Sequence, residues 1–323
     1  MDLKQWIEQV EAQPDPSWLI DKLLFAQSTA LLTGPPTLGH KTWFAMLLSL
    51  IVGEGKKYAC FNGGHKRVLF YEREKAPKPT AQRFRALEQG CGINIGAGVD
   101  FRHMSPLNLA NVAQTQVIAG EIEQNQIGLV IIDTLAKCMK GDENSVEDMS
   151  RAMEGVDRMR AAGATVLLLH HTKKTSQDFD DAQDIDQEVR GSSALIGFAD
   201  THLALRPAGN KVLTLTARHN DAQEFRWQLR WDIESNESSI AKRATLMVEE
   251  LGDSSSIVAG FVLDGFTNTI INSHRNEFSV RGLRKLLMLP SDDVAIDIGN
   301  QLVSDGILVF DSSGRKYRKP EIV

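Results

Sequence analysis

Four places in the chain carry residue types that could handle a polyphosphate. The first is Lys41-Thr42 at the end of Gly34-Pro35-Pro36-Thr37-Leu38-Gly39-His40. A glycine loop between a short apolar strand and a helix surrounds phosphate with backbone N–H groups and the positive helix end. The lysine adds a point charge, and the threonine hydroxyl can ligate Mg²⁺. The second is Glu72, closing the apolar run Val68-Leu69-Phe70-Tyr71. At a strand's carboxyl end it could orient and deprotonate an attacking water, with Glu74 next in line. The third is Asp133, closing Ile127–Ile132. Four apolar residues and then aspartate is a Walker B pattern, whose carboxylate faces Mg²⁺ opposite the loop threonine. The fourth is His170-His171, after Val166–Leu169. Neighbours on a strand point to opposite faces, so the pair is a poor metal site, and one of them reads as a polar sensor near a γ-phosphate.

The glycine loop departs from G-x-x-x-x-G-K-[ST]. Counted back from Lys41-Thr42, the glycine positions fall on Pro35 and His40; aligned on Gly34 and Gly39, His40 takes the lysine's place. A non-glycine at position 40 is awkward if the backbone needs φ > 0 there. The plain alternative is a strand–turn–helix with a chance Lys-Thr.

The elements that must position these groups can be read from pattern. Continuous apolar runs typical of buried parallel strands alternate with helical stretches near 41–52, 80–89, 112–125 and 146–161, which is the order of an α/β fold with a mostly parallel sheet. The strand ending in Glu72 is expected beside the loop strand. Val146, Met149, Met153, Val156 and Met159 form one face of the last helix, a core stripe rather than a cofactor box. Gly141–Ser145 reads as a solvated turn capping it. Residues 2–12 suggest a short amphipathic helix carrying Leu3, Trp6, Ile7 and Val10. Residues 175–189, rich in aspartate, read as a mobile loop. Segments 200–205 and 212–216 read as an antiparallel pair with Arg218 at its end, and 225–232 as a further strand.

Composition sets the frame. The chain has 323 residues, 42% apolar content and a net charge of -6. That excludes a globally basic nucleic-acid binder, though not a local basic patch. Cys60, Cys91 and Cys138 are scattered, which fits a reducing cytoplasm and no zinc site. No apolar run reaches the roughly 18 residues of a membrane span, and the acidic start is no signal peptide. The tail from Phe278 reads as helix, turn, helix with Ser291 as N-cap, then a hairpin whose return strand is Arg315-Lys316-Tyr317-Arg318-Lys319. That is winged-helix order, with a basic wing as a candidate backbone contact. The domains expected are an N-terminal helix and linker over 1–17, an ATPase core over 18–234, a linker or packing segment with an internal helix over 235–274, and the winged helix over 275–323.

The combination resembles the RepA-type branch of the RecA-fold ATPases, which includes hexameric replicative DNA helicases of plasmids and phages. Lys41-Thr42-Trp43, Glu72, Ile131-Ile132-Asp133-Thr134-Leu135, Gly141–Ser145, His170–Lys174 and Arg190-Gly191-Ser192-Ser193 follow one another in that family's order. The resemblance implies a RecA-like P-loop core using ATP and Mg²⁺, with loop residues Gly34 to Trp43 on the nucleotide. By it, Glu72 is the base, Thr42 and Asp133 face the metal, and His170 or His171 is the sensor. Arg190 lies in the Arg-Gly-Ser-Ser segment, and Arg218 corresponds to an arginine finger given to a neighbour. It further implies a homo-oligomer of hexameric ring type, with single-stranded DNA and other replication proteins as partners.

Overall fold

The computed structural model describes residues 2–12, 17–36, 40–172, 185–189, 194–208, 212–237, 240–251, 277–287, 296, 299–300, 302–303, 308–311 and 316–319. They divide into two compact units, one reaching Glu250 and the other starting at Leu251.

The first unit is built on a nine-stranded sheet. Six strands run parallel, in the spatial order Thr201–Pro207, Thr29–Gly34, Thr165–His171, Ile127–Asp133, Arg67–Glu72 and Val99–His103. Val212–His219 and Phe225–Ser235 extend it antiparallel from Thr201–Pro207, and Ala241–Leu251 forms the edge. The glutamate strand is therefore not beside the loop strand: the aspartate and histidine strands lie between them. Each crossover helix carries the chain to a new position, and the later strands fill the gap. The four strand ends still converge, because Glu72 is in register with Asp133, Thr33 with His170 and Gly34 with His171.

Alternate residues of each strand feed opposite faces. Ala30, Leu32, Phe70, Ile131 and Leu169 pack on one side with the helix Lys41–Glu54. Leu31, Leu69, Val130, Ile132 and Leu168 pack on the other with the helices Val112–Asn125 and Val146–Ala161. In the latter, Met149, Met153, Val156 and Met159 are buried as the periodicity requires, while Val146, in its first turn, is exposed. Ser145 caps that helix by accepting the Asp148 N–H.

The helix after the loop is buried on every side rather than on one face. Trp43 packs on Trp231, Phe44 on Phe61, and Phe61 on Trp227, so the antiparallel extension covers the side turned from the parallel strands. The segment expected to be a linker contributes to that cover. Ala241–Leu251 is a strand with Ala244 and Leu246 buried, not a helix, so the sheet continues past the boundary expected at 234. The amphipathic helix forms over Leu3–Glu11 and leaves Leu3 and Trp6 exposed; the Val10 side chain lies outside the described residues. Among the described residues no helix is long and apolar enough to cross a membrane.

In the second unit, Glu277–Ser279, Lys316–Arg318 and Val309–Asp311 form a three-stranded antiparallel sheet, with Lys316–Arg318 in the middle. The first tail helix starts at Val280, two residues later than expected, because Phe278 and Ser279 pair in that sheet. Tyr317 is buried, so Lys316 and Arg318 share the outer face by alternation. Each is paired, with Glu277 at 3.2 Å and Asp311 at 3.0 Å. Those partners offset the charge expected of a basic wing. Ser291, Arg315 and most of the second tail helix lie outside the described residues.

Candidate functional site

The site lies at the carboxyl ends of the parallel strands. Gly34 ends the loop strand because the neighbouring strand passes too close for a side chain: a Cβ there would stand 2.8 Å from the Leu205 carbonyl oxygen. Pro35 is buried, Pro36 exposed, and Thr37, Leu38 and Gly39 lie outside the described residues. The chain re-enters at His40 with φ 48° and ψ 27°, left-handed, immediately before the helix. His40 thus holds a left-handed conformation that glycine adopts without steric cost, and Lys41-Thr42 open the helix directly after it. Left-handed backbone costs a non-glycine residue about 1–2 kcal/mol. The helix can hold it, since Phe44, Leu47, Leu48 and Ile51 are all fully buried at roughly 2 kcal/mol each.

Lys41 is buried. Its Nζ donates to the Gly34 carbonyl at 2.7 Å and the Pro35 carbonyl at 3.2 Å, and lies 3.3 Å from His171 Nδ1. Burial pulls its pKa down to about 8, against the pull of Asp133 and Glu74. The Thr42 hydroxyl donates to Asp133 Oδ2 at 2.7 Å. Burial pushes Asp133 up to about 6, and Glu74 and Glu72 add to this while the Thr42 hydrogen bond opposes it.

Of the two histidines, His171 meets Lys41, while His170 is buried one residue earlier on the strand. A lysine ammonium only donates, so His171 Nδ1 accepts and its Nε2–H points toward Glu74 Oε1, 3.9 Å away. Burial, then the Lys41 charge, holds His171 below its ordinary pKa.

The two glutamates divide differently from expectation. Glu72 is fully buried, and its Oε1 accepts the backbone N–H groups of Glu74 at 2.8 Å and Lys75 at 2.7 Å. Its Oε2 lies 3.5 Å from His103 Nε2, which also meets the Lys75 carbonyl at 2.8 Å. The carboxylate expected to activate water is therefore folded into the turn that follows it. Glu74, two residues on and 28% exposed, is the one that faces His171. Position at a strand end pointed to this stretch, but only the turn geometry separates the two.

Trp43, expected on the nucleotide, is a core residue whose ring lies against Trp231 and 5.4 Å from the Arg83 guanidinium. Arg218, expected to point outward, is held within its own chain: NH1 donates to Asp186 Oδ2 at 3.0 Å and Nε to Glu224 Oε2 at 3.2 Å. Within 175–189, expected to be mobile, Ile185–Glu188 form a 3-10 turn and Val189 bridges to Thr172, with Ile185 and Val189 buried. Residues 175–184, Lys173, Lys174 and Arg190-Gly191-Ser192-Ser193 lie outside the described residues.

The donor set fits Mg²⁺. A hydroxyl and a carboxylate are hard oxygen ligands, and Mg²⁺ needs only one or two protein groups beside phosphates and water. Among the described residues there is no cluster of three or more His, Cys, Asp or Glu side chains placed to hold a metal by themselves. The buried Asp133 offers a test. Its folded pKa of about 6 exceeds the ordinary carboxylate value, so stability is full below the unfolded value and is lost as pH rises through about 6. Asp133→Asn is expected to stabilise the nucleotide-free protein by about 2–3 kcal/mol at pH 8 and by little near pH 4. Chemical denaturation at the two pH values reads this; an equal difference at both would mean that the carboxylate is not desolvated.

A protein-family model described as an AAA domain matches residues 2–177, more than half of the chain. Comparison with curated proteins gives no match. Among solved structures, "The Structure Of A DnaB-Like Replicative Helicase And Its Interactions With Primase" is similar in fold, with a TM-score of 0.53 and 13% identity. The likeness covers 71% of this chain and 65% of that one, so less than two thirds of that structure is represented. The nine-stranded sheet accordingly shares the fold of that structure.

Proposed function

The chain belongs to the AAA-domain family, and from that premise we propose that it is an oligomeric ATPase acting on DNA, of the RepA-like replicative helicase kind. The observation that carries the reading is the contact of Thr42 with Asp133 at 2.7 Å beside the buried Lys41. In this reading Lys41 leaves the loop carbonyls for the β- and γ-phosphates. Thr42 and Asp133 would hold Mg²⁺, which when bound would offset charge on those phosphates. Glu74 takes the proton of the attacking water. His171, between Lys41 and Glu74, couples the γ-phosphate position to the base. Glu72 fixes the turn that presents Glu74. Arg218 is given to a neighbouring copy in a ring, hexameric by the resemblance. Single-stranded DNA and replication proteins are the proposed partners, in the cytoplasm. The tail is proposed as a winged-helix-like domain for protein contact, since Glu277 and Asp311 pair with Lys316 and Arg318 of its return strand.

A second reading is a nucleotide-gated module that assembles on DNA or a replication partner without unwinding. The observation favouring it is that Lys41 already rests on two carbonyls of its own loop, after a strained His40. One experiment separates the two: ATP hydrolysis with and without single-stranded DNA, beside nucleotide binding, for wild type and Lys41→Ala. The ATPase reading expects DNA-stimulated turnover and loss of binding in the variant. Binding without turnover favours the module, and unchanged affinity in Lys41→Ala would refute the phosphate loop itself.

A further inference from the structure

A hydrogen-bonded chain runs from the phosphate-loop strand to Arg218. His202 and Arg218 stand directly opposite each other on antiparallel strands, so their side chains share a face. Asp186 reaches both, with Oδ1 2.7 Å from His202 Nδ1 and Oδ2 3.0 Å from Arg218 NH1. An ionised carboxylate only accepts, so Nδ1 carries a proton and, in the neutral imidazole, Nε2 is the acceptor. The Thr33 hydroxyl lies 2.8 Å from Nε2, the shorter of its two contacts, the other being the Leu203 carbonyl at 3.5 Å. Thr33 immediately precedes Gly34, whose carbonyl receives Lys41. The His202 bond also holds Asp186 below the usual carboxylate range.

The two ends of this chain differ in firmness. Thr33 and His202 are 1% and 4% exposed, and Asp186 is anchored by the buried Ile185 and Val189, the latter bridged to Thr172 just beyond His171. The Arg218 side chain is 38% exposed, and ion pairs at such sites are weak. An arginine held there is ordered, yet can exchange a carboxylate for a phosphate at little cost. We propose that Asp186 and His202 are positioning residues that tie the placement of Arg218 to the state of the phosphate loop. For its catalytic arm this rests on the reading of the site as an ATPase that uses Arg218.

Two measurements test it. The first is hydrogen exchange of the 185–189 amides with and without a non-hydrolysable ATP analogue. Nucleotide is expected to slow exchange there in wild type. In Thr33→Val, and in His202→Asn as a second variant should the first fold poorly, the analogue still binds but the response at 185–189 is lost. A response equal to wild type in the folded variant, or none in wild type with analogue added, overturns the link. The second is a double-mutant cycle on turnover. Asp186→Asn is expected to lower kcat about tenfold with KM within about threefold, and to add nothing once Arg218→Ala is present, as residues acting through one another are non-additive. Losses that multiply would overturn the positioning role. If Arg218→Ala turns over like wild type, it is the assignment of Arg218 that has failed, and hydrogen exchange alone decides the link.

Discussion

Glu74→Gln is expected to bind ATP normally and to lose turnover by about 10²-fold or more, the scale of a lost general base. Glu72→Gln is expected to behave differently. The Glu72 carboxylate accepts two backbone N–H groups through one oxygen, a role that the glutamine carbonyl can keep. Its other oxygen faces His103 Nε2, where the glutamine amide would set a donor against a donor. An unmatched buried polar group costs about 1–3 kcal/mol, so that variant is expected to lose stability before chemistry. Thermal unfolding and single-turnover hydrolysis of the two variants, side by side, decide between the glutamates. A chemically dead Glu72→Gln with wild-type stability, beside an active Glu74→Gln, would return the base to Glu72.

The contrast shows what this sequence makes legible. A run such as Leu129-Val130-Ile131-Ile132-Asp133 identifies a buried strand and its terminal carboxylate, because burial on both faces demands continuous apolar residues. The helix 112–125 is read to the residue, and in the structure Asn111 caps it by accepting the Gln114 N–H. Strand order is not written locally. Nothing within Arg67–Glu72 says that two later strands will separate it from Thr29–Gly34. Ala241–Leu251 escaped detection because Ala244 and Leu246 alternate among lysine, arginine and glutamate, residues as common in helices. The left-handed His40 was foreseeable, since its place in the motif asks for a glycine conformation. The partner of Arg218 was not, because Asp186 lies 32 residues away in the chain and meets it only when two strands and a turn come together.

Arg218→Ala is expected to bind nucleotide nearly as wild type does and to hydrolyse it about 10³-fold more slowly, the scale of an arginine supplied to a transferring phosphoryl group. Here the arginine is held by Asp186 and Glu224 of its own chain. If it acts on a neighbour, activity belongs to the interface and not to the chain. Mixing Arg218→Ala with Lys41→Ala then makes hybrid interfaces in which an intact phosphate loop faces an intact arginine. Turnover of the mixture should exceed that of either variant alone, and should rise with protein concentration as oligomers form. Because an arginine partnered by two carboxylates must give up at least one to reach phosphate, Glu224→Gln should weaken its hold without touching the loop. That variant is expected to leave nucleotide affinity unchanged. Hybrid oligomers that form yet stay as inactive as their parents would mean that Arg218 acts within its own subunit, with Asp186 and Glu224 as its permanent partners.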